Sequence, residues 1–497
     1  MKKRESEAIS LSAEEAKRYF LKPQNYFSVP VPPYFCFEKI LDVMSKKLAG
    51  HKLKEFCDEE KLEKSRKVNY GLKFSKDGMH AWREFQLIHP AIYVELVDEL
   101  TEREMWEFLR ERFALFKKQE IVRCRSLMTR TKDGHEAASA ILKWWNNIEQ
   151  ESIRLGLYYN YMAITDVLEC YNSIDLRHLE RVFGGRGQEI IEWLIRMNGG
   201  KTIGLPQGNA VGDLMAELML GYVDVVFARA VGEEKIKSDY QVLRFKDDYR
   251  IFTKDEVTAK KLLRILAESL AKYGLKLNPA KTEIFDDIVR AARKPDKSFA
   301  ESQRMIASVL SDGAIAELSI QKGLIMIDEM SRKFPNSGSV QRALMEIYEK
   351  RVLPLEHKPG DVYQIMSVVA NIMVRNPRTA QIGAAILSKM MSFNPGISRK
   401  SLTEKILEKA RLMPNYEYLE VCLQRLTIKN LRSRRYKSEL CQLAYKPDGK
   451  IWNSEWLKFK VEDRMIVDKK RIIEMEFVVP KEEVLAFLGY NESDENL

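Results

Sequence analysis

The chain has 497 residues, 45% of them hydrophobic, which is enough for substantial buried cores and for two or three domains. Lysine and arginine total 82 against 72 aspartates and glutamates, and the formal net charge of +10 favours a polyanionic partner, most simply nucleic acid. No apolar run approaches the roughly 20 residues that would span a bilayer.

The cysteines and the N-terminal segment bear on the cellular compartment. Six cysteines are scattered along the chain without any C-x-x-C pair, which argues against a disulfide framework and against a structural zinc site. The opening segment MKKRESEAISLSAEEAKRYF lacks the apolar stretch of a secretory signal. We therefore expect a cytoplasmic protein.

Residues 1–155 are predicted to mix helices with loops. The stretch PQNYFSVPVPPYFCFEKIL contains four prolines and predicts an extended, irregular segment. The stretch LVDELTEREMWEFLRERF has the apolar spacing and charge pattern of a helix.

Residues 156–295 alternate between strand and helix patterns. YYNYMAITDV predicts a strand, and QEIIEWLIRM predicts a helix that ends at Asn198-Gly199-Gly200. VGDLMAELMLGYVDVVFARAV predicts a long amphipathic helix, and YQVLRFKDDYRIFTKD a β-hairpin. A further helix closes at Gly274 before the short strand KTEIF. The order β-α-α-ββ-α-β is close to the split βαβ arrangement of a ferredoxin-like sheet.

Residues 296–497 predict one helix after another. Prolines at intervals of 18 to 24 residues lie in short polar connectors: Pro335, Pro359, Pro377, Pro395 and Pro414. This spacing favours stacked helical hairpins of the solenoid type. An ordinary irregular helical bundle is the alternative.

A dense basic cluster, KNLRSRRYK, lies within this last region. Its cations are either a solvated helix face or a phosphate-binding patch for nucleic acid. On the second interpretation the binding residues are Arg432, Arg434, Arg435 and Lys437.

Three aspartates carry the strongest chemical signal. Asp247 and Asp248 separate two strand-forming runs in RFKDDYRIF, although an Asp-Asp pair alone most often marks a solvated turn. Asp166 follows a strand about 80 residues earlier, and the predicted topology brings it to the hairpin tip. Clustered carboxylates require cations, and hard oxygen ligands suit Mg²⁺, with Mn²⁺ as a substitute. Two such ions would serve in-line phosphoryl displacement, so we predict nucleotidyl transfer.

Four segments resemble the palm motifs of reverse transcriptases in order and spacing: DVLECYNSI, GLPQG, FKDDYRIF and YGLKLNPAKTEIF. FKDD resembles the Y-x-D-D box of that family, with Phe245 in the tyrosine position and Lys246 in the variable one. Neither departure removes a metal ligand. The resemblance covers about 130 residues and implies an RNA-directed DNA polymerase.

A narrower resemblance links the chain to bacterial abortive-infection and defence-associated reverse transcriptases. It rests on NGGKTIGLPQGNAVGDLMAELMLGYVD, LRFKDDYRIF and WREFQLIHPAIYVELVDEL. It implies an α+β fold with an N-terminal region and fingers over 1–155, a ferredoxin-like palm over 156–295, and an all-α HEAT-like repeat domain over 296–497 replacing a thumb. The partners implied are a structured non-coding RNA, a DNA product, deoxynucleoside triphosphates and further copies of the chain in a homo-oligomer.

The resemblance also implies roles for residues of the first palm motif and of the FKDD box. Asp166 and Asp247 match the principal metal ligands, and Asp248 matches a weaker third. Tyr171 matches the aromatic ring that excludes a sugar 2′-OH, the group that distinguishes RNA from DNA, unless it is a plain core tyrosine. Val167 lies beside Asp166 and is expected to contact the nucleotide.

Four further residues have implied roles around the nucleotide. Gln207 and Gly208, within GLPQG, would shape the nucleotide and template pocket, where glycine permits close approach. Lys281 matches the lysine near the triphosphate, where it would stabilise or protonate the leaving pyrophosphate, unless it is an ordinary exposed lysine. Arg83 aligns loosely with a basic fingers residue that grips the triphosphate, which suits a guanidinium fork.

Competing functions remain open at this point. A retron-like or mobile-element reverse transcriptase would make a different DNA product, and a non-catalytic RNA-binding scaffold would carry a relic palm. Relatives with this architecture tend to prime synthesis from a protein hydroxyl. The tyrosines in loop-like or basic contexts are Tyr26, Tyr34, Tyr416, Tyr418 and Tyr436.

Overall fold

The computed structural model describes residues 6–65, 68–76, 80–126, 128–130, 145–310, 319–393, 398–429, 436–446 and 448–488. Within these ranges the strands are β1 (Ser6–Glu7), β2 (Tyr70–Ser75), β3 (Trp82–Leu87), β4 (Val122–Cys124), β5 (Thr129–Arg130), β6 (Tyr161–Asp166), β7 (Tyr240–Phe245), β8 (Asp248–Thr253) and β9 (Glu283–Phe285).

The α-helices of the same ranges fall into two groups. Those of the first 310 residues are α1 (Ala13–Phe20), α2 (Pro23–Tyr26), α3 (Glu38–Leu48), α4 (Glu59–Lys64), α5 (Pro90–Thr101), α6 (Arg103–Lys118), α7 (Glu151–Leu155), α8 (Cys170–Ser173), α9 (Leu176–Val182), α10 (Gln188–Met197), α11 (Ala210–Glu233), α12 (Glu256–Ala271), α13 (Ile288–Ala292) and α14 (Pro295–Leu310). Those that follow are α15 (Ile320–Lys333), α16 (Gly338–Ile347), α17 (Val362–Arg375), α18 (Ala380–Ser392), α19 (Arg399–Arg411), α20 (Glu417–Gln424), α21 (Glu439–Leu443), α22 (Lys469–Glu474) and α23 (Lys481–Leu488).

The central sheet has the strand order β4-β7-β8-β6-β9. Strands β7, β8, β6 and β9 pair antiparallel, in the order that the split βαβ arrangement requires. Strand β4 adds a parallel edge beside β7 that sequence patterns did not predict. Strands β2 and β3 form a separate two-stranded antiparallel hairpin.

Local sequence signals explain where the helices around the sheet begin and end. Asp255 precedes α12, and its carboxylate accepts a hydrogen bond from the backbone N of Thr258 at 2.7 Å. Helix α10 ends as predicted, because Gly199 and Gly200 adopt positive φ angles of 65° and 81° just after it.

Two sequence expectations for helices need correction. Helix α11 is not amphipathic: 15 of its 24 residues are buried, including Glu217 and Asp224, so it runs through the interior and not along its surface. The predicted helix over LVDELTEREMWEFLRERF is two helices, α5 and α6, which break at Glu102.

Among the described residues, 319–424 are largely helical, as predicted, whereas residues 448–468 contain no α-helix and only a short 3₁₀ turn, Asp463–Ile466. Pro335 lies between α15 and α16, Pro359 precedes α17, Pro377 lies between α17 and α18, and Pro414 lies between α19 and α20. Pro395 lies outside the described residues. None of the helices in the described ranges is long and apolar enough to cross a bilayer.

The last part of the chain returns to the N-terminal region. The backbone N of Asp58 donates to the carbonyl of Trp456 at 2.7 Å, and that of Asp468 donates to the carbonyl of Tyr34 at 2.8 Å. The buried indole of Trp456 packs edge-on against the His89 ring. One continuous hydrophobic core therefore joins the two ends of the chain.

A buried ion network fixes the β7–β8 hairpin on α11. Arg244 is 1% exposed and donates to Asp224 Oδ2 at 2.8 Å and to Glu217 Oε2 at 3.0 Å. Tyr249 donates to the other oxygen of Asp224 at 3.0 Å. Burial raises the pKa of Asp224 to about 6, against the opposing effect of Arg244. The network joins two carboxylates of a central helix to both strands of one hairpin.

Replacing the central cation tests how strongly this network stabilises the fold. We expect Arg244→Met to lower the free energy of unfolding by about 3–5 kcal/mol, because it leaves two buried carboxylates without their counter-charge. Denaturant titration followed by circular dichroism measures the change. Arg264→Met is the matched control, because Arg264 forms exposed ion pairs on α12 worth at most about 1 kcal/mol. Similar losses in both variants would contradict a structural role for the network.

Candidate active site

Strand pairing brings Asp166, Asp247 and Asp248 together at one edge of the central sheet. Asp166 ends β6 and is the direct antiparallel partner of Asp248, which begins β8. Directly paired residues have Cα atoms about 4.5–5.5 Å apart and side chains on the same face. Asp247 occupies the adjoining turn, and its carbonyl accepts a hydrogen bond from the backbone N of Val167 at 3.1 Å.

The turn between β7 and β8 consists of Lys246 and Asp247. Lys246 has a φ of 54°, a left-handed conformation that non-glycine residues seldom adopt. Its backbone carbonyl accepts a hydrogen bond from Arg244 at 2.9 Å, and its ammonium pairs with Asp213 on α11 at 3.3 Å. These two contacts hold the tip of the hairpin, and the nearby Asp213 carboxylate raises the pKa of Lys246.

The carboxylates at this tip are electrostatically strained. Burial, and then the neighbouring Asp166, raise the pKa of Asp247. Asp248 reaches solvent but lies in a concavity, where reduced hydration and then Asp247 raise its pKa to about 6. Asp166 is 5% exposed, and its Oδ1 is a buried oxygen with no hydrogen-bond partner.

Lys281 forms an ion pair with Asp166. It ends a short 3₁₀ turn, Pro279–Lys281, which is held to β6 by the bond from Asn278 N to the Asp166 carbonyl at 2.9 Å. The ammonium of Lys281 donates to Asp166 Oδ2. Burial acts to lower the pKa of Lys281, but the bond to Asp166 raises it overall. The lysine thus neutralises part of the acidic cluster. The sequence had predicted that it would lie near the triphosphate.

The donor atoms at this edge suit a hard divalent cation. Three carboxylates converge, two with raised pKa values and one with an unpartnered buried oxygen, and each of these features is relieved by a cation. Among the described residues, no three His, Cys, Asp or Glu side chains are already arranged as a metal-binding group. The Asp166–Lys281 pair would have to loosen or share its carboxylate for a metal to bind fully.

The GLPQG loop connects this edge to the β2–β3 hairpin. The Gln207 carbonyl accepts a hydrogen bond from Gln86 N at 2.9 Å, and the Gly208 carbonyl accepts one from Ser28 N at 2.9 Å. Gly208 has a φ of 96°, and a Cβ atom there would lie 2.9 Å from the Phe85 ring. Glycine is therefore required for the close approach of loop and hairpin.

Tyr171 lies next to this loop, with its carbonyl accepting a hydrogen bond from Leu205 N at 2.8 Å. Its half-buried ring directs the hydroxyl to Asp213, the same carboxylate that pairs with Lys246. Burial raises the pKa of Tyr171 well above its usual range. Val167, by contrast, is 1% exposed as a whole residue, and its backbone N already donates to the Asp247 carbonyl, so its assignment to nucleotide binding stays a prediction.

Arg83 projects from β3 on the fingers hairpin and is exposed. It makes no ion pair with any carboxylate of the described residues. Burial by the surrounding cleft and then the nearby Arg378 lower its pKa, whereas Asp247 raises it. Arg83 is thus close enough to Asp247 for the two charges to interact, and its assignment to triphosphate binding stays a prediction.

The basic cluster near residue 430 is only partly described. Arg432, Arg434 and Arg435 lie outside the described residues. Lys437 is exposed, and its backbone N donates to the buried Glu420 at 3.0 Å. Its assignment to nucleic-acid binding stays a prediction.

Sequence reasoning missed three residues that surround the same cleft. Lys76 directly follows β2, Lys294 follows α13, and Arg378 lies in the connector between α17 and α18. Burial comes first in lowering the pKa of Lys294, and Asp248 opposes it. The only indication in the sequence was that each of these three is a basic residue beside a turn signal. Such residues are usually solvated and therefore do not predict a site.

Residues 117–308 match the family model described as reverse transcriptase (RNA-dependent DNA polymerase). No curated protein matches the chain. Among solved structures, telomerase from Candida albicans in complex with a TWJ fragment of telomeric RNA is similar at 11% identity and a TM-score of 0.30, over 76% of this chain and 68% of that one. Apo telomerase from Candida tropicalis is similar at 14% identity and a TM-score of 0.29, over 82% and 73%.

The matched segment contains the palm sheet and most of the predicted site. Asp166, Asp247, Asp248 and Lys281 all fall within residues 117–308, whereas Arg83 precedes them. Residues 117–308 form a reverse transcriptase domain, and the protein is an enzyme, an RNA-directed DNA polymerase.

Proposed function

We propose that this protein is a reverse transcriptase of bacterial anti-phage defence that works with a dedicated structured non-coding RNA. The convergence of Asp166, Asp247 and Asp248 at the sheet edge is the observation that carries the catalytic part. The defence role is supported by the sequence resemblance to abortive-infection enzymes and by the helical region that follows the palm.

The three aspartates would hold two Mg²⁺ ions. When bound, the ions would supply charge neutralisation and activation of the attacking hydroxyl. Lys281, which donates to Asp166, would donate a hydrogen bond or proton toward the leaving pyrophosphate. Arg83 would bind the triphosphate from the fingers side. Tyr171, Gln207 and Gly208 would form the sugar and template side of the pocket.

The helical region after residue 319 would be a HEAT-like repeat in place of a thumb. Helix α15 packs on α16 and α17, and α17 packs on α18, so most of these helices pack on helices close to them in the chain. This packing supports a helical solenoid. An irregular bundle remains the alternative, since the connectors differ in length.

Two other functions compete with this one. A retron-like enzyme would make one defined RNA-linked DNA species, which sequencing of co-purified nucleic acid distinguishes. A relic palm on an RNA-binding scaffold is disfavoured because all three aspartates are retained. The net charge of +10 favours bound RNA in every case, with an affinity that falls steeply with salt. We further propose a homo-oligomer, which light scattering would test.

Removing one carboxylate tests the catalytic assignment. We expect Asp247→Asn to reduce nucleotide incorporation by at least about a hundredfold, as does loss of one electrostatic stabiliser in other active sites, and to abolish protection in a phage plating assay. Without metal at pH 7, the variant should unfold at the same or a higher denaturant concentration, because an amide relieves repulsion. Because the folded-state pKa of Asp247 is raised, this stability advantage should grow as pH rises and vanish below about pH 4.

The matched control for this experiment is Asp286→Asn. Asp286 belongs to a second Asp-Asp pair of the same domain and is exposed at the end of β9. It should retain wild-type incorporation. Full polymerisation by the Asp247→Asn protein would refute the metal-ligand assignment.

Sugar selection is tested at Tyr171. We expect Tyr171→Ala to raise ribonucleotide use relative to deoxyribonucleotide use by at least about tenfold, the discrimination that a pocket gains by excluding one small group. Tyr171→Phe keeps the ring but loses the bond to Asp213, and should leave the ratio unchanged. Steady-state kinetics with both nucleotide types measure the ratio. An unchanged ratio in an active Tyr171→Ala protein would assign Tyr171 to the core.

Protein priming is a further proposal, and the structure narrows the choice of tyrosine. Four of the candidate tyrosines are buried with hydrogen-bonded hydroxyls: Tyr26, Tyr34, Tyr418 and Tyr436. A buried, bonded hydroxyl cannot reach a nucleotide without local unfolding. Tyr416 is partly exposed and precedes α20, the helix that packs on β2 of the fingers. Tyr416 is therefore the best candidate of the five.

Denaturing purification tests priming directly. If Tyr416 is the primer, DNA from producing cells should travel with the denatured wild-type polypeptide and be absent from Tyr416→Phe. The control is Tyr363→Phe, at a tyrosine that is 64% exposed on α17. DNA that separates from the wild-type protein on denaturation, without protease, would mean that a nucleic-acid end is the primer.

A further inference from the structure

A single asparagine ties the helical region to the fingers hairpin. Asn336, between α15 and α16, has a left-handed φ of 55°. Its Nδ2 donates to the carbonyls of Ser75 at 3.0 Å and Lys76 at 2.7 Å, at the end of β2. Its Oδ1 accepts a hydrogen bond from the backbone N of Arg378 at 3.0 Å, and its backbone N donates to Asn376 at 2.7 Å. The connector that carries Arg378 is thus fixed against the hairpin that carries Arg83.

Three cations meet at this junction without acidic partners. Lys76 and Arg83 come from the fingers hairpin, and Arg378 comes from the helical region about 300 residues later in the chain. All three are exposed, and none forms an ion pair with a carboxylate of the described residues. The Arg378 guanidinium makes one hydrogen bond within those residues, from Nη1 to the Asn336 carbonyl at 3.2 Å. Its remaining donors are available to a ligand.

These cations face the acidic edge of the palm. After burial, Arg378 is the main influence that lowers the pKa of Arg83, and Asp247 acts on the same guanidinium in the opposite direction. Burial and then Arg83 lower the pKa of Lys76, whereas Asp166 raises it. The contacts place these groups together as well: Asn336 holds the Arg378 backbone beside the Lys76 carbonyl, and Gln86 N of the same hairpin donates to Gln207 of the loop that lies next to Tyr171. The cleft therefore has carboxylates on one wall and unpaired cations on the other.

Like charges held close together are stabilised by an anion between them. Guanidinium groups present several donors in a planar fork that matches phosphate oxygens. We propose that Arg378, a residue of the helical region, binds phosphate in the polymerase cleft together with Arg83. This inference rests on the function proposed for the site. The phosphate belongs either to an incoming deoxynucleoside triphosphate or to a nucleic-acid strand, and the two sources are separable by experiment.

The test uses the full-length chain with Arg378→Ala and Arg378→Lys. Affinity for dTTP is measured by calorimetry, and affinity for a fluorescent single-stranded RNA is measured at several salt concentrations. A triphosphate site predicts that Arg378→Ala weakens dTTP binding by about tenfold or more, as expected for loss of a charge-assisted hydrogen bond, with RNA binding unchanged. A strand site predicts weaker RNA binding, with a salt dependence shallower by about one unit. Arg378→Lys, which keeps the charge, should lose less than Arg378→Ala in either case.

Controls separate this role from a structural one. Arg411→Ala removes an exposed arginine from the end of α19 in the same helical region and should leave both affinities unchanged. If Arg378→Ala does not fold, Arg378→Gln retains an amide donor for the Asn336 carbonyl and takes its place. A folded variant with wild-type affinity for both dTTP and RNA overturns the proposal. Because both readouts measure binding, a chain that binds dTTP through Arg378 but incorporates no nucleotide would refute the proposed polymerisation and not this site.

Discussion

The geometry of the acidic site depends on the buried Arg244. Its guanidinium holds Glu217 and Asp224 of the central helix and also donates to the Lys246 carbonyl in the hairpin turn. A left-handed non-glycine residue in a tight turn costs about 1–3 kcal/mol unless the surrounding structure enforces it. The hydrogen bond from Arg244 to the Lys246 carbonyl restrains the turn, and the ion pair of Lys246 with Asp213 adds a second restraint. The position of Asp247 follows from both.

The cleft above this turn holds two unbalanced sets of charge. Raised pKa values at Asp247 and Asp248 show that the acidic wall is strained in the absence of cations. The opposite wall carries Arg83 and Arg378 without acidic partners among the described residues, and the Lys281–Asp166 pair neutralises only part of the acidic wall. A metal-bound triphosphate has the complementary arrangement, with cations on one side and phosphate oxygens on the other. Charges already fixed in this way need no reorganisation during reaction, which is how enzymes gain most from electrostatics.

The order of the four antiparallel strands and the proximity of the three aspartates could be predicted from the sequence. Alternating apolar runs and turn residues specify the strands, and the topology then determines which strand ends are adjacent. The interior course of α11 did not follow. Glu217 and Asp224, seven residues apart, suggested a polar face for that helix, but both are buried and bind Arg244, 27 and 20 residues away. Arg378 was overlooked for a related reason. Its place in the cleft depends on the contact of Asn336 with Ser75, 261 residues apart, and no local pattern encodes such a contact.

The same long-range contacts order the β2–β3 hairpin before any ligand binds. The β2–β3 hairpin is held by Asn336, and by Glu417, which accepts from Lys73 N at 3.3 Å, so the helical region braces it along its length. A two-stranded hairpin standing alone is marginally stable in water and would lose conformational entropy on closing over a nucleotide. Here most of that entropy is lost on folding. Because the hairpin that carries Arg83 is ordered before a ligand arrives, the helical region would, on the proposed function, contribute to nucleotide affinity through this order.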